Sequence, residues 1–293
     1  MNTNNISLNI GFIGFGLIGG SIAKAIKKAH PEYKIIVTSR SLAPINAAKD
    51  EGIVDIVTGE LDDNFKCCDF IFLCTPVITM TNYFKELINI KKDSCIITDV
   101  GSVKGSVHIA AENMGLSDCF IGGHPMAGSE LSGYANSSAD ILVNAKYVIT
   151  TTAATSAEMI ERYKALVADM KAIPIIMDYQ THDNTVAAIS HLPHLVAAAL
   201  TKVVIDNDDD SHHMHTLAAG GFKDTTRIAA SSPEMWSQIC QSNNDAICSM
   251  LDKYIAQLSA IKSNIEAGKS NPESMTKYIE ELFTETRAYR KTF

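Results

Sequence analysis

The sequence predicts an α/β domain with a doubly wound parallel sheet, followed by an all-α domain. Over residues 1–178, short apolar runs alternate with stretches of helical periodicity. The run Phe70–Leu73 is apolar at every position, which is typical of a strand in a sheet covered on both faces. After Asp178 the strand pattern stops and helical periodicity continues. We therefore predict one domain over residues 1–178 and a second over residues 179–293.

The composition is that of a soluble globular protein, with 46% hydrophobic and 20% charged residues in a chain of 293. A formal net charge of −8 argues against nucleic acid or an anionic membrane as a partner. Met1–Asn9 lacks the pattern of a signal peptide, and no apolar run reaches the ~20 residues of a membrane span. Seven cysteines without a CxxC pair indicate reduced thiols and no zinc site, so we expect a cytoplasmic protein.

The first predicted strand leads into a glycine-rich turn. The apolar run Ile6–Ile13 precedes Gly14-Phe15-Gly16-Leu17-Ile18-Gly19, and helical periodicity follows to about His30. A strand, a GxGxxG turn and a helix form the dinucleotide fingerprint of a Rossmann-type domain, in which the glycines admit a pyrophosphate to the helix N-terminus. We therefore expect this turn to bind a dinucleotide cofactor. A glycine-rich turn without a ligand is the alternative.

The second predicted strand, Lys34–Ser39, ends at the position whose residues distinguish NAD from NADP. NAD binders place a carboxylate here for the ribose 2′-hydroxyl, whereas this chain has Ser39 and Arg40. Because an arginine next to hydroxyl groups suits a 2′-phosphate, we favour NADP over NAD. The alternative is that Arg40 is a solvated turn residue.

Further predicted strands end in short polar turns. They are Asp69–Cys74, Ser94–Val100, Cys119–Gly122, Lys146–Thr151 and Ile173–Met177. The carboxyl ends of parallel strands line the ligand crevice of a doubly wound sheet. We therefore expect the cofactor to contact Cys74, Thr75, Pro76, Asp99 and Gly101.

A single histidine lies in the glycine-rich stretch Gly122–Glu130, just after a predicted strand. An imidazole can accept a proton near neutral pH, so we predict that His124 is a general base at the crevice. Ser102 follows a neighbouring strand end and is expected to lie at the same crevice. The alternative is a glycine-proline turn whose histidine is satisfied by the protein itself.

Two stretches of the predicted helical half hold histidines. Thr185–Ile205 predicts one long apolar helix that begins at Asp183 or Asn184 and is kinked by Pro193. His194, beside the kink, either reaches a pocket or bonds a carbonyl freed by the proline. The run His212–His215 predicts a solvated loop rather than a metal site.

Two cations and a long helix follow. Lys223 and Arg227 are four positions apart, which favours an anionic ligand, with a salt bridge to Asp224 or Glu130 as the alternative. Ser232-Pro233 begins an amphipathic pattern of roughly 30 residues, and helices of this length often pack against a second copy of the chain. We therefore predict a homodimer formed through the C-terminal helices, and a last helix capped at Asn271.

Several of these stretches together resemble the prephenate dehydrogenase family of tyrosine biosynthesis. They occur in the family's order across both predicted domains and are Gly14–Gly20, Asp99–Gly105, Gly123–Glu130, Ser190–His194 and Gly220–Arg227, with Trp236. The glycine motif alone is common to many families, whereas HPMAGSE, SHLPH and GGFKDTTRIA are far more specific.

The resemblance implies NAD(P)-dependent oxidative decarboxylation of prephenate to 4-hydroxyphenylpyruvate, or alternatively of arogenate to tyrosine. It implies that His124 is the base and that Ser102 orients it and bonds the substrate hydroxyl. His194 and Arg227 match the family's substrate-binding residues. Lesser candidates for the same role are Lys223, Ser129 and Ser190.

Other functions are weaker alternatives. Ser39-Arg40 departs from the acid of NAD-preferring members, and we expect neither a chorismate mutase segment nor an ACT domain. β-Hydroxyacid dehydrogenases and imine reductases have a similar layout but use a lysine base or a different helical motif. A dinucleotide sensor without chemistry is expected to have lost His124 or Arg227, and both are present.

Overall fold

The computed structural model describes residues 7–128 and 131–293. By its internal contacts the chain divides into two compact units, Met1–Asn244 and Asp245–Phe293. The strands all belong to the first unit and are β1 (Asn9–Ile13), β2 (Lys34–Thr38), β3 (Ile56–Thr58), β4 (Phe70–Leu73), β5 (Ile96–Asp99), β6 (Gly122–Pro125), β7 (Lys146–Thr151) and β8 (Ile173–Asp178). Six of them fall on predicted strands, β6 shares only Gly122 with its predicted strand, and the three-residue β3 is an addition.

Helices surround these strands and continue to the C-terminus. In the first unit they are α1 (Leu17–Ala29), α2 (Leu42–Asp50), α3 (Val77–Met80), α4 (Phe84–Ile90), α5 (Gly105–Asn113), α6 (Ala157–Asp169), α7 (Tyr179–Val186), α8 (Leu192–Asn207), α9 (His213–Leu217), α10 (Gly220–Thr226) and α11 (Pro233–Ser242). The second unit is formed by α12 (Asn244–Ala267), whose first residue closes the first unit, and α13 (Pro272–Arg290).

The main sheet is parallel and has the strand order β3-β2-β1-β4-β5. The chain reverses its direction of travel across the sheet between β1 and β4, and ligands of such sheets bind at this switch point. Successive residues of β1 and of β4 face opposite sides of the sheet and pack in different cores. Phe12 and Phe72 stack with ring centroids 5.1 Å apart on one face, whereas Ile13 and Ile71 pack on the other. The predicted sheet with two covered faces is therefore confirmed.

A second sheet departs from the prediction of one continuous sheet. It has the order β6-β7-β8, with β6 antiparallel to β7. The predicted strand at 119–122 is wrong, because Phe120 forms only an isolated bridge with Ile97 and pairing proper begins at Gly122. Gly123 permits β6 to run here: a Cβ on this residue would lie 2.6 Å from the Asp99 carbonyl oxygen, so only glycine lets β6 cross the end of β5.

The first long helix of the helical half begins earlier than predicted. Asp178 caps α7, and its carboxylate accepts a hydrogen bond from the Thr181 amide at 2.8 Å, so Asp183 lies inside the helix rather than at its start. Instead of a simple kink, a π-helical turn over Ala187–His191 joins α7 to α8, whose second residue is Pro193. Proline lacks the amide that would continue an α-helical ladder, which accounts for the widened turn.

The predicted 30-residue helix is two helices, because Asn243 breaks it between α11 and α12. Asn243 is buried, and its side-chain amide donates to the Asp183 carbonyl at 2.9 Å. The caps at Ser232 and Asn271 are confirmed, since each accepts a hydrogen bond from an amide three positions along. The stretch after His212 forms the short helix α9 rather than a loop, although residues 212–215 are exposed as expected.

The helical run Tyr179–Asn207 is more apolar than the sequence patterns indicated. The run has 29 residues and contains a window with a mean hydropathy of 1.5. By length and composition alone, this helix could cross a membrane. Only 11% of that window is buried within this chain, and Ile189, Val203 and Ile205 are each more than half exposed. Buried His182, Asp183 and His191 lie on the same run, so this helix also contributes polar groups to the interior of the first unit.

Candidate active site

The glycine turn after β1 has the geometry of a dinucleotide site. Gly14 has a φ of +87°, and a Cβ there would lie 2.9 Å from the Cys74 carbonyl oxygen. Gly19 packs α1 against the end of β4, where a Cβ would meet the Cys74 side chain at 3.2 Å. Gly16 faces open space. The turn thus holds strand and helix together with two glycines and leaves space at the third, which is the arrangement that a close pyrophosphate requires.

A cleft opens beside this turn at the switch point of the sheet. Its lining consists of Gly14, Phe15, Gly16, Ser39, Arg40, Cys74, Thr75, Pro76 and Tyr83. Phe15 and Tyr83 are additions to the predicted set, and the lining contains no carboxylate. Thr75 Oγ1 is buried without a hydrogen-bond partner among residues 7–128 and 131–293. A cleft with an orphaned hydroxyl and an open glycine fits a nicotinamide dinucleotide.

Leu17, Ile18 and Gly101, which are also predicted to contact the cofactor, are not among the residues that line the cleft. Leu17 and Ile18 are half-buried in the first turn of α1, directly after the glycine Gly16. Gly101 is half-buried just after β5. Each of these residues lies at the carboxyl edge of the main sheet, where the cleft is.

The side chain of Asp99, which is predicted to contact the cofactor, is fully buried and does not line the cleft, which corrects the prediction for this side chain. Its carboxylate is fully buried and accepts the amides of Gly101 at 2.9 Å and Gly123 at 3.2 Å. Lys104, also fully buried, donates to the same carboxylate and, at 2.8 Å, to the Gly123 carbonyl. Asp99 therefore has a structural role, because its hydrogen bonds fix β6 across the end of β5.

His124 lies inside β6 rather than after a strand end, and its side chain is partly exposed. The ring Nδ1 is 2.8 Å from Nε2 of His182 on α7. Burial, with His182 and Lys104 contributing, holds the pKa of His124 well below its usual value. The imidazole is therefore neutral at physiological pH and can accept a proton.

Ser102 is near this strand end but is not the ring partner of His124 that the resemblance implied. It is half-buried in the turn between β5 and α5. Within the described residues, the ring contact at Nδ1 comes from His182 instead. Ser102 therefore remains a candidate for the substrate hydroxyl alone.

The helical half adds a group of aromatic side chains. His194 stacks on Trp236 at 4.2 Å, and His191 meets the same ring edge-on at 5.9 Å. His194 Nδ1 donates to the Ser190 carbonyl at 2.9 Å, which orients the ring and leaves Nε2 for another partner. His191 Nε2 and Trp236 Nε1 are buried and have no hydrogen-bond partner in the described part of the chain.

The remaining predicted substrate residues lie on elements that pack against α8. Lys223 is exposed on α10, and Arg227 is exposed at the first residue of a 3-10 turn over Arg227–Ala230. Ser190 is half-buried in the π-helical turn. Ser129, predicted as a lesser candidate, lies outside the described residues.

Two family models account for most of the chain. Residues 22–176 match the prephenate dehydrogenase nucleotide-binding domain, and residues 178–281 match the prephenate dehydrogenase dimerization domain. The chain belongs to the prephenate dehydrogenase family. It is therefore an oxidoreductase with an NAD(P)-binding domain and a dimerisation domain.

Individual relatives agree with this assignment. The chain is 35% identical over 278 residues to prephenate dehydrogenase of Bacillus subtilis, covering 94% of this chain and 74% of the relative. It is also similar to the crystal structure of prephenate dehydrogenase from Aquifex aeolicus in complex with hydroxyphenyl propionate and NAD⁺, with a TM-score of 0.88, 31% identity and coverage of 96% and 98%. The crystal structure of Synechocystis arogenate dehydrogenase gives a TM-score of 0.83 at 29% identity, covering 96% of this chain and 100% of that one.

Proposed function

We propose that this protein is a prephenate dehydrogenase, which converts prephenate and NAD(P)⁺ to 4-hydroxyphenylpyruvate, CO₂ and NAD(P)H. The observation that carries the proposal is the position of His124. Its strand crosses the carboxyl end of the cofactor-binding sheet, held there by the Gly123–Asp99 hydrogen bond of 3.2 Å. A partly exposed, neutral imidazole beside the dinucleotide cleft suits the removal of a proton from a substrate alcohol.

The chemistry requires one proton acceptor on the protein. His124 accepts the proton of the ring hydroxyl while hydride leaves the carbon that bears it. The bound cofactor supplies the acceptor for that hydride. As the ring carboxylate departs as CO₂ and the ring becomes aromatic, His124 returns the proton to the phenol oxygen. Ser102 is proposed to hold the hydroxyl in line with the imidazole.

The substrate carries two carboxylates, and the helical half provides donors for them. Arg227 and His194 are the main proposed contacts, with Lys223, Ser190 and Ser129 as lesser ones. A guanidinium binds a carboxylate through two parallel hydrogen bonds, which favours Arg227 for the strongest contact. Nε2 of His194 is proposed to bind the ligand, as is Nε1 of Trp236, which has no hydrogen-bond partner among the described residues.

NADP is the proposed cofactor, because Ser39 and Arg40 line the cleft and no carboxylate does. The expected result is a higher kcat/KM with NADP⁺ than with NAD⁺, reversed in the double variant Ser39→Asp, Arg40→Ala. The exposed Lys49 on α2 provides a matched control, since Lys49→Ala removes a cation without altering the cleft. A preference for NAD⁺ in the natural chain would contradict this assignment.

The division of labour that we propose places cofactor binding in residues 1–178 and substrate binding and dimerisation in residues 179–293. The change from β8 to α7 at Asp178 supports this boundary. The exposed apolar side chains of the C-terminal helices, such as Val203, Ile205 and Ile255, support a homodimer formed there. None of the seven cysteines, which all lie in the described part of the chain, forms a disulfide bond, and this supports a cytoplasmic location.

The test is a set of four assays: prephenate and arogenate, each with NAD⁺ and NADP⁺, followed by formation of the reduced cofactor. Turnover of prephenate with formation of 4-hydroxyphenylpyruvate is the expected result. Arogenate is the alternative substrate, because it presents the same ring hydroxyl to His124. Turnover of arogenate alone would reassign the chain as an arogenate dehydrogenase, and no turnover in any of the four assays would refute the proposed function.

A further inference from the structure

Three side chains form a hydrogen-bonded line that leads away from His124 into the interior. Nδ1 of His124 is 2.8 Å from Nε2 of His182, and Nδ1 of His182 is 2.7 Å from Oδ1 of Asp183. His182 is only 1% exposed and Asp183 only 9%, so water does not compete for these contacts. The line joins β6 to α7 across 58 positions of sequence.

At the Asp183 end of the line, the contacts of the carboxylate determine which atom donates each hydrogen bond. The backbone amide of Lys104 donates to Oδ1 of Asp183 at 2.8 Å, and that of Gly105 donates to Oδ2 at 2.7 Å. A backbone amide can only donate, so both carboxylate oxygens act as acceptors. Nδ1 of His182 must then be the donor in its bond to Oδ1.

The donor in the bond between His182 and Asp183 determines the donor in the bond between His124 and His182. A neutral imidazole carries one proton, so a His182 that donates from Nδ1 accepts at Nε2. Nδ1 of His124 is then the donor to His182, and Nε2 of His124 has no proton. We propose that His182 and Asp183 are positioning residues that hold His124 in the tautomer whose bare Nε2 faces the substrate. The inference rests on the proposed function only where it names Nε2 as the atom that accepts the hydroxyl proton.

The same hydrogen bonds also stabilise His124 after it has accepted a proton. When Nε2 of His124 takes the hydroxyl proton, the ring becomes an imidazolium whose Nδ1 proton already points at His182. The charge is then balanced through His182 by the Asp183 carboxylate, as in other base–orienter pairs. Among the described residues, the titratable groups that act on His124 are His182, Lys104 and His191, and His182 is the one that is hydrogen-bonded to its ring.

A purely structural role for His182 is the competing explanation, since a buried histidine bonded at both nitrogens stabilises any core. The two roles differ in what they control. A structural histidine sets stability and substrate affinity together, whereas a positioning residue sets the His124 tautomer and kcat. A second difference is rescue: Gln in place of His182 can offer an oxygen acceptor near the position of Nε2, and Leu cannot.

The first measurement reads the tautomer directly and needs no substrate. Proton–nitrogen correlation spectra of the ¹⁵N-labelled protein at neutral pH distinguish a histidine protonated at Nδ1 from one protonated at Nε2. The His124 signals are assigned by their loss in His124→Asn. The expected result is an Nδ1-protonated ring in the natural protein and loss of that preference in His182→Leu. An Nε2-protonated His124 in the natural protein would overturn the proposal.

The second measurement compares His182→Leu with His182→Gln. In His182→Leu we expect kcat to fall about 10²- to 10³-fold, with KM and the cofactor Kd within about threefold. We expect His182→Gln to recover about tenfold or more of that loss. The matched control is His108→Leu, which removes another buried histidine whose ring binds Thr150 instead. If this control lowers kcat as much as His182→Leu does, the effect is structural and the proposal fails.

The remaining outcomes are equally decisive. A kcat within about threefold of the natural value in His182→Leu would contradict the proposal, as would equal activity of the Leu and Gln variants. If His182→Leu does not fold, the tautomer in the natural chain and the kcat of His182→Gln carry the test. A chain that turns over neither substrate but holds His124 protonated at Nδ1 would refute the proposed function and leave the positioning role standing.

Discussion

The two sides of the His124 crevice differ in how completely their polar groups are satisfied. We call Asp99, Lys104 and Gly123 the crevice floor; they are buried and bonded to one another. The other side, which carries His191 and Trp236, we call the helical side. It leaves His191 Nε2 and Trp236 Nε1 buried without a hydrogen-bond partner among the described residues. Since an unsatisfied buried polar atom is costly, such atoms are expected where a ligand completes the bonding.

The difference indicates a division between stability and binding. A closed network such as the crevice floor gives rigidity, and its disruption exposes no new function but weakens the fold. The helical side gives up some stability to remain ready for a substrate. Mutations on the floor should therefore act mainly on unfolding, and mutations on the helical side mainly on kinetics.

The largest effect on stability is expected from Lys104→Met. Removal of the ammonium leaves the fully buried Asp99 carboxylate without its cation, and breaking such a pair costs about 3–5 kcal/mol. Urea unfolding of the natural and variant chains measures this change. Lys28→Met, which breaks the exposed pair with Asp140, is the control and should not differ measurably from the natural chain. Equal stability of the Lys104 variant would remove the distinction between the two sides.

A smaller and purely kinetic effect is expected from Arg227→Ala. Loss of a charged hydrogen bond to a substrate carboxylate corresponds to about 1.5–3 kcal/mol, so KM for prephenate should rise roughly 10- to 150-fold. The midpoint of urea unfolding should change little, because Arg227 is exposed. Lys223→Ala tests the lesser candidate on the neighbouring helix. An unchanged KM together with lower stability would assign Arg227 to a structural ion pair instead.

The pH dependence of stability concerns both sides. Burial lowers the pKa of His108 and of His191 to about 4 each. The unfolded chain protonates these groups near their ordinary value of about 6.5, so between pH 6.5 and 4 the unfolded state binds more protons. The free energy of unfolding must therefore fall as the pH falls through this window.

His108→Leu tests the sign and size of this dependence. The slope of the unfolding free energy against pH should decrease by at most about 1.4 kcal/mol per pH unit between pH 6.5 and 4. His215→Asn, at an exposed histidine on α9, is the control and should leave the slope unchanged. A slope that is the same in His108→Leu would show that His108 gains its proton in the folded protein as readily as in the unfolded chain.

Much of the main sheet was predictable, because its signals are local. The glycine turn, the apolar strands and most of the cleft lining follow from neighbouring residues, as in Gly14, Gly16 and Ser39–Arg40. The three-residue β3 and the separate sheet of β6, β7 and β8 were missed. The pairing of the second sheet depends on how Gly123 lets the backbone cross the end of β5, and a single sequence does not contain that information.

The helical side was less predictable for the same reason. Asp183 has the sequence features of a helix start, yet its carboxylate orients His182 and its carbonyl binds Asn243, 60 positions away. Asn243 in turn breaks a helix whose apolar pattern is continuous. The residues that form the line behind His124 are thus determined by tertiary contacts. The sequence signal present, a His-Asp pair on an apolar helix, has meaning only once His124 is placed beside it.

The measurement that tests the account most directly is turnover by His124→Asn. If His124 is the base, kcat should fall about 10²- to 10⁴-fold, while the Kd for NADP⁺ stays within about threefold, because the cleft is lined by other residues. Stopped-flow assays with prephenate and a fluorescence titration with NADP⁺ provide the two numbers. A kcat within about threefold of the natural value would contradict the assignment of His124 and, with it, the central claim about this crevice.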